Sequence, residues 1–501
     1  MILQAMNIGN TKKNKFYITT AIAYVNAPPH MGHAFQFARA DAIARYRRLT
    51  GCDVFFLTGT DEYGSKMFKT ANEKNMEPQI LADENAKKFK ELDNLLNVSF
   101  DDFIRTSDEK RHWPGAQLIW KKINENGDLY KKKYSGYYCN GCEAYVLENE
   151  LTDGKCVYHN QKPEFIEEEN YFFKLSKYAD KLMELIEKNE IEIVPESRKK
   201  EILNFVKQGL KDVSFSRPKS VLPWGISVPN DEEHVMYVWC DALTSYISAL
   251  GYGSDNLEKF NKYWPADIHI IGKDNLCFNA LYWPAMLFSA GLSLPKKIYV
   301  HGFVTSEGRK MSKTLGNIID PKEIAEKYGA DALRYYLLKE IPATEDGDFT
   351  IKHFEEVYNA DLANGLGNTV ARVLAMAEKY FENQIVVVML EKKWEEIIDI
   401  SRECVDYAMK DYNASQALVG IWHILRKIDE EIDKTKPWEM EKTDINSVGA
   451  HLFNWLEGLR TVGHLLKSFL PETAEKIIEQ LGFEEKKGFS VKKGKILFPR
   501  T

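Results

Sequence analysis

The chain has 501 residues, 44% of them hydrophobic, 12% aromatic and 28% charged, with a formal net charge of −7. That length is too great for one core and sets an expectation of roughly two to four domains in an ordinary soluble globular protein. The acidic balance excludes a globally basic nucleic-acid binder, and the longest apolar run, Ile385–Leu390, is far too short to span a membrane.

Residues 1–15 show no apolar stretch followed by a small-residue cleavage site. Seven cysteines, three of them in a metal-like cluster, favour a reducing compartment, so a cytoplasmic location is expected. In chain order, Lys15–Ala21 reads as a buried strand that runs through Pro28-Pro29 into a helix. Phe35, Ala38, Ala42, Tyr46 and Leu49 fall at helical spacing, and Gly51 marks the stop. A second strand follows at Val54–Thr58, so a βαβ unit and a parallel nucleotide-binding sheet are expected. From about Trp120 to Asp231 the texture becomes Lys/Glu-rich and cysteine-bearing, as in an inserted module. Strand signal returns at Met236–Trp239, Asp267–Gly272 and Ile298–Val300, and beyond about Phe349 the period is helical, broken at Glu382–Leu390. Arg45–Arg48, Lys131–Lys133, Arg198–Lys200 and Arg309-Lys310 are local basic strips, each by itself best taken as a solvated face.

Three motifs carry chemistry. His30-Met31-Gly32-His33 stands at the start of the first helix, where free N–H groups suit phosphate, glycine admits close approach and two imidazoles can donate to a developing pentavalent phosphate. The alternative is two surface histidines beside a helix cap. Lys310-Met311-Ser312-Lys313-Thr314 reads as a cationic loop able to neutralise pyrophosphate, or as an exposed basic turn. Cys139-x2-Cys142, then Cys156-x2-His159, offers Zn²⁺ three thiolates and one imidazole, a closed structural site. Cys52, Cys240, Cys277 and Cys404 are expected to be core or pocket residues.

Together the first two motifs resemble those of class I aminoacyl-tRNA synthetases, with Thr314 a mild departure that keeps a hydroxyl. The resemblance sharpens to the methionyl-tRNA synthetase family through 21–33, Gly59–Glu62, Tyr237–Ala242, Ile271–Asp274 and Asn359–Leu362, and it covers nearly the whole chain. It implies ATP-dependent activation of L-methionine to methionyl-adenylate and transfer to the 3′ end of methionine tRNA, with Mg²⁺ accompanying ATP and one structural Zn²⁺.

The catalytic residues it implies are His30, His33, Lys310 and Lys313, with Gly32, Gly272 and Asp274 added for ATP. Ala21, Ile22 and Asp61 would hold the methionine ammonium end, and Tyr24, Trp239, Ala242 and Tyr246 its thioether. Arg217 would position the adenylate, and Asn368, Arg372 and Trp438 would read the anticodon. The family usually has isoleucine at Asn275, histidine at Asn279 and histidine at Tyr63. The first two lie in or beside the side-chain pocket, so each asparagine is expected to find a partner or water, and an altered affinity for methionine is expected.

The fold class expected is α/β. A Rossmann-type catalytic domain (1–119 and 233–300) is interrupted by a zinc-knuckle insert (120–232). The lysine-loop region (301–350) and a helical anticodon-binding bundle (351–501) follow. A monomer is expected, since the chain stops directly after the helices. Two other readings stay open: a synthetase for another amino acid, such as cysteine or leucine, and a non-catalytic RNA-binding paralogue.

Overall fold

The computed structural model describes residues 14–139, 144–146, 151–157, 161–311, 317–492 and 494–501, with the side chains of 144, 145 and 310 excepted. Two compact units result: Met1–Pro29, Cys52–Leu92 and Phe100–His301 form the first, and His30–Gly51, Asp93–Ser99 and Gly302–Thr501 the second.

The first unit is built on a seven-stranded sheet, parallel at every pairing. Strands β1 (Lys15–Thr20) and β3 (Asp53–Asp61) pair directly, with Ile18 opposite Phe56. The short β2 (Ala23–Tyr24) continues along β3, Tyr24 opposite Asp61, while β4 (Asp102–Arg105) takes the other edge of β3. On the far side of β1 come Ile268–Gly272, Lys297–His301 and Glu192–Val194. These strands read as continuous apolar runs because both faces are buried, the usual condition of a parallel sheet. Gly59 lets β3 and β4 approach: a Cβ there would lie 2.0 Å from the Ile104 carbonyl oxygen. The chain leaves β1 toward β3 and later returns on its other side. The carboxyl end of β1 is therefore a topological switch point, where α/β sheets bind ligands.

The inserted segment belongs to this unit. Leu129–Cys139 and Glu164–Phe173 form a long antiparallel hairpin, Leu129 opposite Phe173, flanked by Ala144–Val146 and Val213–Ser214. The expected strand at Met236–Trp239 is a correction. A strand occupies Asp231–Met236, in a small antiparallel sheet, and Val238–Ser248 is a helix. A short apolar run carries no period of its own; here the helical spacing of Val238, Ala242 and Ser245 on a buried face prevails.

The second unit contains helix α1 (Met31–Leu49) and a helical array beginning at Pro321. Gly51, at φ +89°, follows the α1 terminus, as expected. Leu362, Leu366, Val370, Val373 and Ala377 are all buried, so the helical stripe holds, although Tyr358–Gly367 is π-helical before the α-helix Asn368–Phe381. Trp394 and Trp455 fill the bundle core, each indole donating to Glu431, at 2.7 and 2.9 Å. The break at Glu382–Leu390 contains a strand, Gln384–Ile385, that pairs with Gly488–Ser490. Among the described residues no helix is long and apolar enough to cross a membrane.

Candidate active site

In the first unit, the expected methionine residues gather at the carboxyl end of the sheet. Ala21 donates its N–H to the Ile270 carbonyl at 2.8 Å, which ties the segment after β1 to the neighbouring strand. Tyr24 and Asp61 are register partners, and Val25 N–H donates to the Asp61 carbonyl at 3.1 Å. The Tyr24 hydroxyl accepts from Met67 N–H at 3.0 Å, which fixes the ring. Helix Val238–Ser248 brings Trp239, Ala242 and Tyr246 to one side.

Asn279 sits in a π-helical turn, Phe278–Tyr282, and both halves of its buried amide are satisfied. Its Oδ1 accepts from the Tyr246 hydroxyl at 3.0 Å and its Nδ2 donates to the Asn275 carbonyl at 3.1 Å. The asparagine in the family's histidine position thus has the partners it needs, and Tyr246 in turn stacks on His269 with centroids 4.3 Å apart. Phe278 went unread in the sequence. Its ring lies parallel to Trp239, centroids 3.4 Å apart, and its position beside Asn279 is the only signal that could have found it. Tyr63 is buried among Trp224 and Trp113, where burial and the Asp241 carboxylate push its hydroxyl far above the ordinary tyrosine range.

Gly272 ends its strand where a Cβ would stand 2.6 Å from Asp274 Oδ1, so the carboxylate folds close over the glycine. Arg217, on the antiparallel strand Ser216–Pro218, is 2% exposed. Its Nη1 donates to Ser214 Oγ and the Ser216 carbonyl, both at 2.8 Å, and its guanidinium lies over Tyr237 and Tyr138 at 4.4 and 4.9 Å. The serine-rich approach to Arg217 therefore serves to aim the guanidinium.

In the second unit the two histidines are both caps and candidates. His30 is the N-cap of α1, its Nδ1 accepting from Gly32 N–H at 3.1 Å, and His33 Nδ1 accepts from His30 N–H at 3.1 Å. With Nδ1 accepting on each ring, a neutral imidazole carries its proton on Nε2, a donor. The rings lie 3.9 Å apart. Helix α1 also touches the strand Val304–Ser306, which hairpins onto Arg309–Lys310, so the His motif and the start of the lysine motif share one unit. Lys313 lies outside the described residues. Asn368 is exposed at the start of its helix. Arg372 spans Asp429 and Asp433, 3.0 Å to each, and Trp438 is 43% exposed.

Of the expected metal ligands, Cys139 and Cys156 are buried at the ends of strands Leu129–Cys139 and Lys155–Cys156, while Cys142 and His159 lie outside the described residues. Among the described residues no group of three ligands forms. Cys240 is buried, Cys52 and Cys277 are half-buried, and Cys404 is exposed instead of in the core. Within the basic strips, Arg45 pairs with Asp41, Arg48 donates to Ser99, Lys131 pairs with Asp231 and Arg198 with Glu201, while Lys132, Lys133, Lys200 and Arg309 are exposed.

A family model described as class I tRNA synthetases (M) matches residues 16–150 and 139–374. The chain is 44% identical to the methionine–tRNA ligase of Caldanaerobacter subterraneus subsp. tengcongensis, over 97% of this chain and 79% of that protein. It is 46% identical to that of Brucella melitensis biotype 1, over 94% and 92%. Among solved structures it matches Mycobacterium tuberculosis methionyl-tRNA synthetase in complex with methionyl-adenylate, with a TM-score of 0.92 and 38% identity over 97% of this chain and 100% of that one. The parallel-sheet core and the helical array that follows thus have their counterpart in a solved synthetase, and the chain belongs to the methionine–tRNA ligase family of class I tRNA synthetases.

Proposed function

We propose that the chain activates L-methionine with Mg-ATP and loads it onto initiator and elongator methionine tRNA. A methionine carboxylate oxygen attacks the α-phosphorus, and the bond to pyrophosphate breaks with its electron pair leaving on the pyrophosphate. The terminal ribose hydroxyl of tRNA then attacks the carbonyl carbon of methionyl-adenylate, AMP departs and the hydroxyl loses its proton. No covalent enzyme intermediate is needed; catalysis is positioning and charge stabilisation.

The observation that carries this reading is the cluster at the switch point: Asp61 in register with Tyr24, beside a ring wall of Trp239, Phe278 and Tyr246. A carboxylate suits the substrate ammonium, and polarisable sulfur makes favourable contacts with aromatic rings. The backbone of Ala21 and Ile22 completes the polar end, and Ala242, Asn275 and Asn279 the side-chain pocket. Gly32, with His30 and His33 through Nε2, serves the phosphates together with Lys310 and Lys313. Gly272 and Asp274 hold the ribose, and Arg217 the adenylate. Asn368, Arg372 and Trp438 read the anticodon, a base stacking on the exposed indole. Cys139, Cys142, Cys156 and His159 hold one structural Zn²⁺; the spacing and the burial of two thiols at strand ends support this. The domain scheme is catalytic halves around an insert, then the lysine loop and the anticodon-binding bundle, acting as a cytoplasmic monomer.

The test is ATP–pyrophosphate exchange on purified protein across amino acids, with zinc quantified in the same sample. Exchange should depend on methionine, zinc should be near one per chain, and Lys313→Ala should slow exchange on the order of a hundredfold without unfolding the protein. Exchange with no amino acid, or full exchange in Lys313→Ala, would overturn the reading.

A further inference from the structure

The turn that follows β3 is held by more hydrogen bonds than the end of a strand requires. Asp61 is its last residue, and both neighbours are pinned. The Thr60 carbonyl accepts from Thr106 N–H at 3.1 Å. Glu62 N–H donates to Thr106 Oγ1 at 2.9 Å, and the Glu62 carbonyl accepts from the Trp224 indole at 3.0 Å. The Glu62 side chain is fully buried and saturated. Its Oε1 accepts from Thr60 Oγ1 at 2.7 Å and Arg105 Nε at 2.7 Å, and its Oε2 from Arg105 Nη2 at 2.9 Å and the Ser107 hydroxyl. Arg105, the last residue of β4, also reaches Asp83 at 2.5 Å.

A buried carboxylate needs compensation, but a fork-to-fork arginine supplies geometry as well as charge: two parallel N–H···O bonds fix the plane of Glu62. With residues 60 and 62 immobilised, the backbone of Asp61 has little freedom, and the direction of its Cα–Cβ bond is set from the β4 side of the sheet. We propose that Arg105 is a positioning residue for the amino-acid substrate, acting through Glu62 to aim the Asp61 carboxylate at the substrate ammonium. This rests on the assignment of Asp61 made above. Arg105 touches no substrate in this account. Its effect is confined to ligands that carry an ammonium group, which separates it from a residue that merely stabilises the pocket.

The experiment measures affinities of the full chain for three ligands by competition. These are L-methionine, methioninol, which keeps the ammonium, and 4-(methylthio)butanoate, which lacks it. In Arg105→Ala, methionine and methioninol should each weaken by about tenfold, a coupling of about 1.4 kcal/mol, while the butanoate and ATP bind as before. Arg105→Lys, which keeps the charge and loses the fork, should recover only part of the difference. Where Arg105→Ala does not fold, Glu62→Gln carries the same test. Equal weakening of all three ligands, or unchanged methioninol affinity, overturns the proposal. Asp61→Asn tells its failure apart from that of the underlying assignment: if this variant binds methioninol like the wild type, it is the role of Asp61 that falls.

Discussion

Two fully buried carboxylates of the second unit, Asp41 and Asp93, are shifted in opposite directions. Burial would raise both. At Asp41 the Arg334 and Arg45 guanidinia and two hydrogen bonds from Ser99 outweigh it and hold the carboxyl below its usual range. At Asp93 burial prevails, the ionised Asp41 adds to it, and neither oxygen has a hydrogen-bond partner among the described residues, so the carboxyl stays protonated well above its usual range. A group whose folded pKa is raised contributes stability that is full below its unfolded pKa and lost as pH rises toward the folded value. Asp93→Asn places an amide of the same shape there and ionises in neither state. Relative to wild type, it should gain stability between pH 4 and pH 8, by up to ~1.4 kcal/mol per pH unit. Urea midpoints at the two pH values decide; a difference independent of pH would show that Asp93 is not protonated. The cap roles of His30 and His33 belong to this scale too. Their positions were legible as a motif, yet the Nδ1 acceptors that leave Nε2 to donate depend on ring rotation, which no spacing rule supplies.

Among the elements, α1 is fixed within its unit by a small number of strong ties. Arg334, on helix Ala330–Lys339, pairs with Asp41 at 2.7 Å with both side chains fully buried, and it donates to the Leu96 and Phe469 carbonyls. Tyr46 donates to Asp406 at 2.7 Å. Arg334→Ala leaves Asp41 buried without its main counter-charge and should cost about 3–5 kcal/mol, read from the denaturation midpoint. The pair Arg334→Met, Asp41→Leu should cost clearly less, since no charge is then stranded. If the single and double variants are equally unstable, packing and not the ion pair holds α1. The sequence periodicity located α1 and its stop at Gly51 correctly, because a broad apolar face needs only local spacing to be seen. At Met236–Trp239 the same reasoning failed, because four apolar residues fit a strand end and a helix start equally well.

At the scale of the whole chain, the proposed scheme gives activation and tRNA recognition to different residues, so the two should be separable by mutation. Trp438→Ala should leave methionine-dependent pyrophosphate exchange within about twofold of wild type while tRNA charging falls by about five- to a hundredfold, the loss of one base-stacking platform being worth ~1–3 kcal/mol. An equal fall in both assays would remove Trp438 from the anticodon role. Net charge of −7 is compatible with this because recognition of an unstacked base needs a ring and a few donors more than a globally basic surface. In three of the basic strips visible in the sequence, one residue is spent on a carboxylate of the same chain.

Local periodicity and short spacing were enough to read a parallel sheet opening on the β1–α1–β3 segment, the helical stripe from Leu362 to Ala377 and the residues of the motifs, while the resemblance supplied the roles of the insert and the bundle. Folding in three dimensions was needed to bring Asn279 onto Tyr246, Phe278 behind Trp239, two tyrosines around Arg217 and Arg105 against Glu62. Those pairs are separated by between 20 and 79 residues or lie on elements joined only by folding, and a hydrogen bond or ring stack between such positions leaves no periodic trace in the chain.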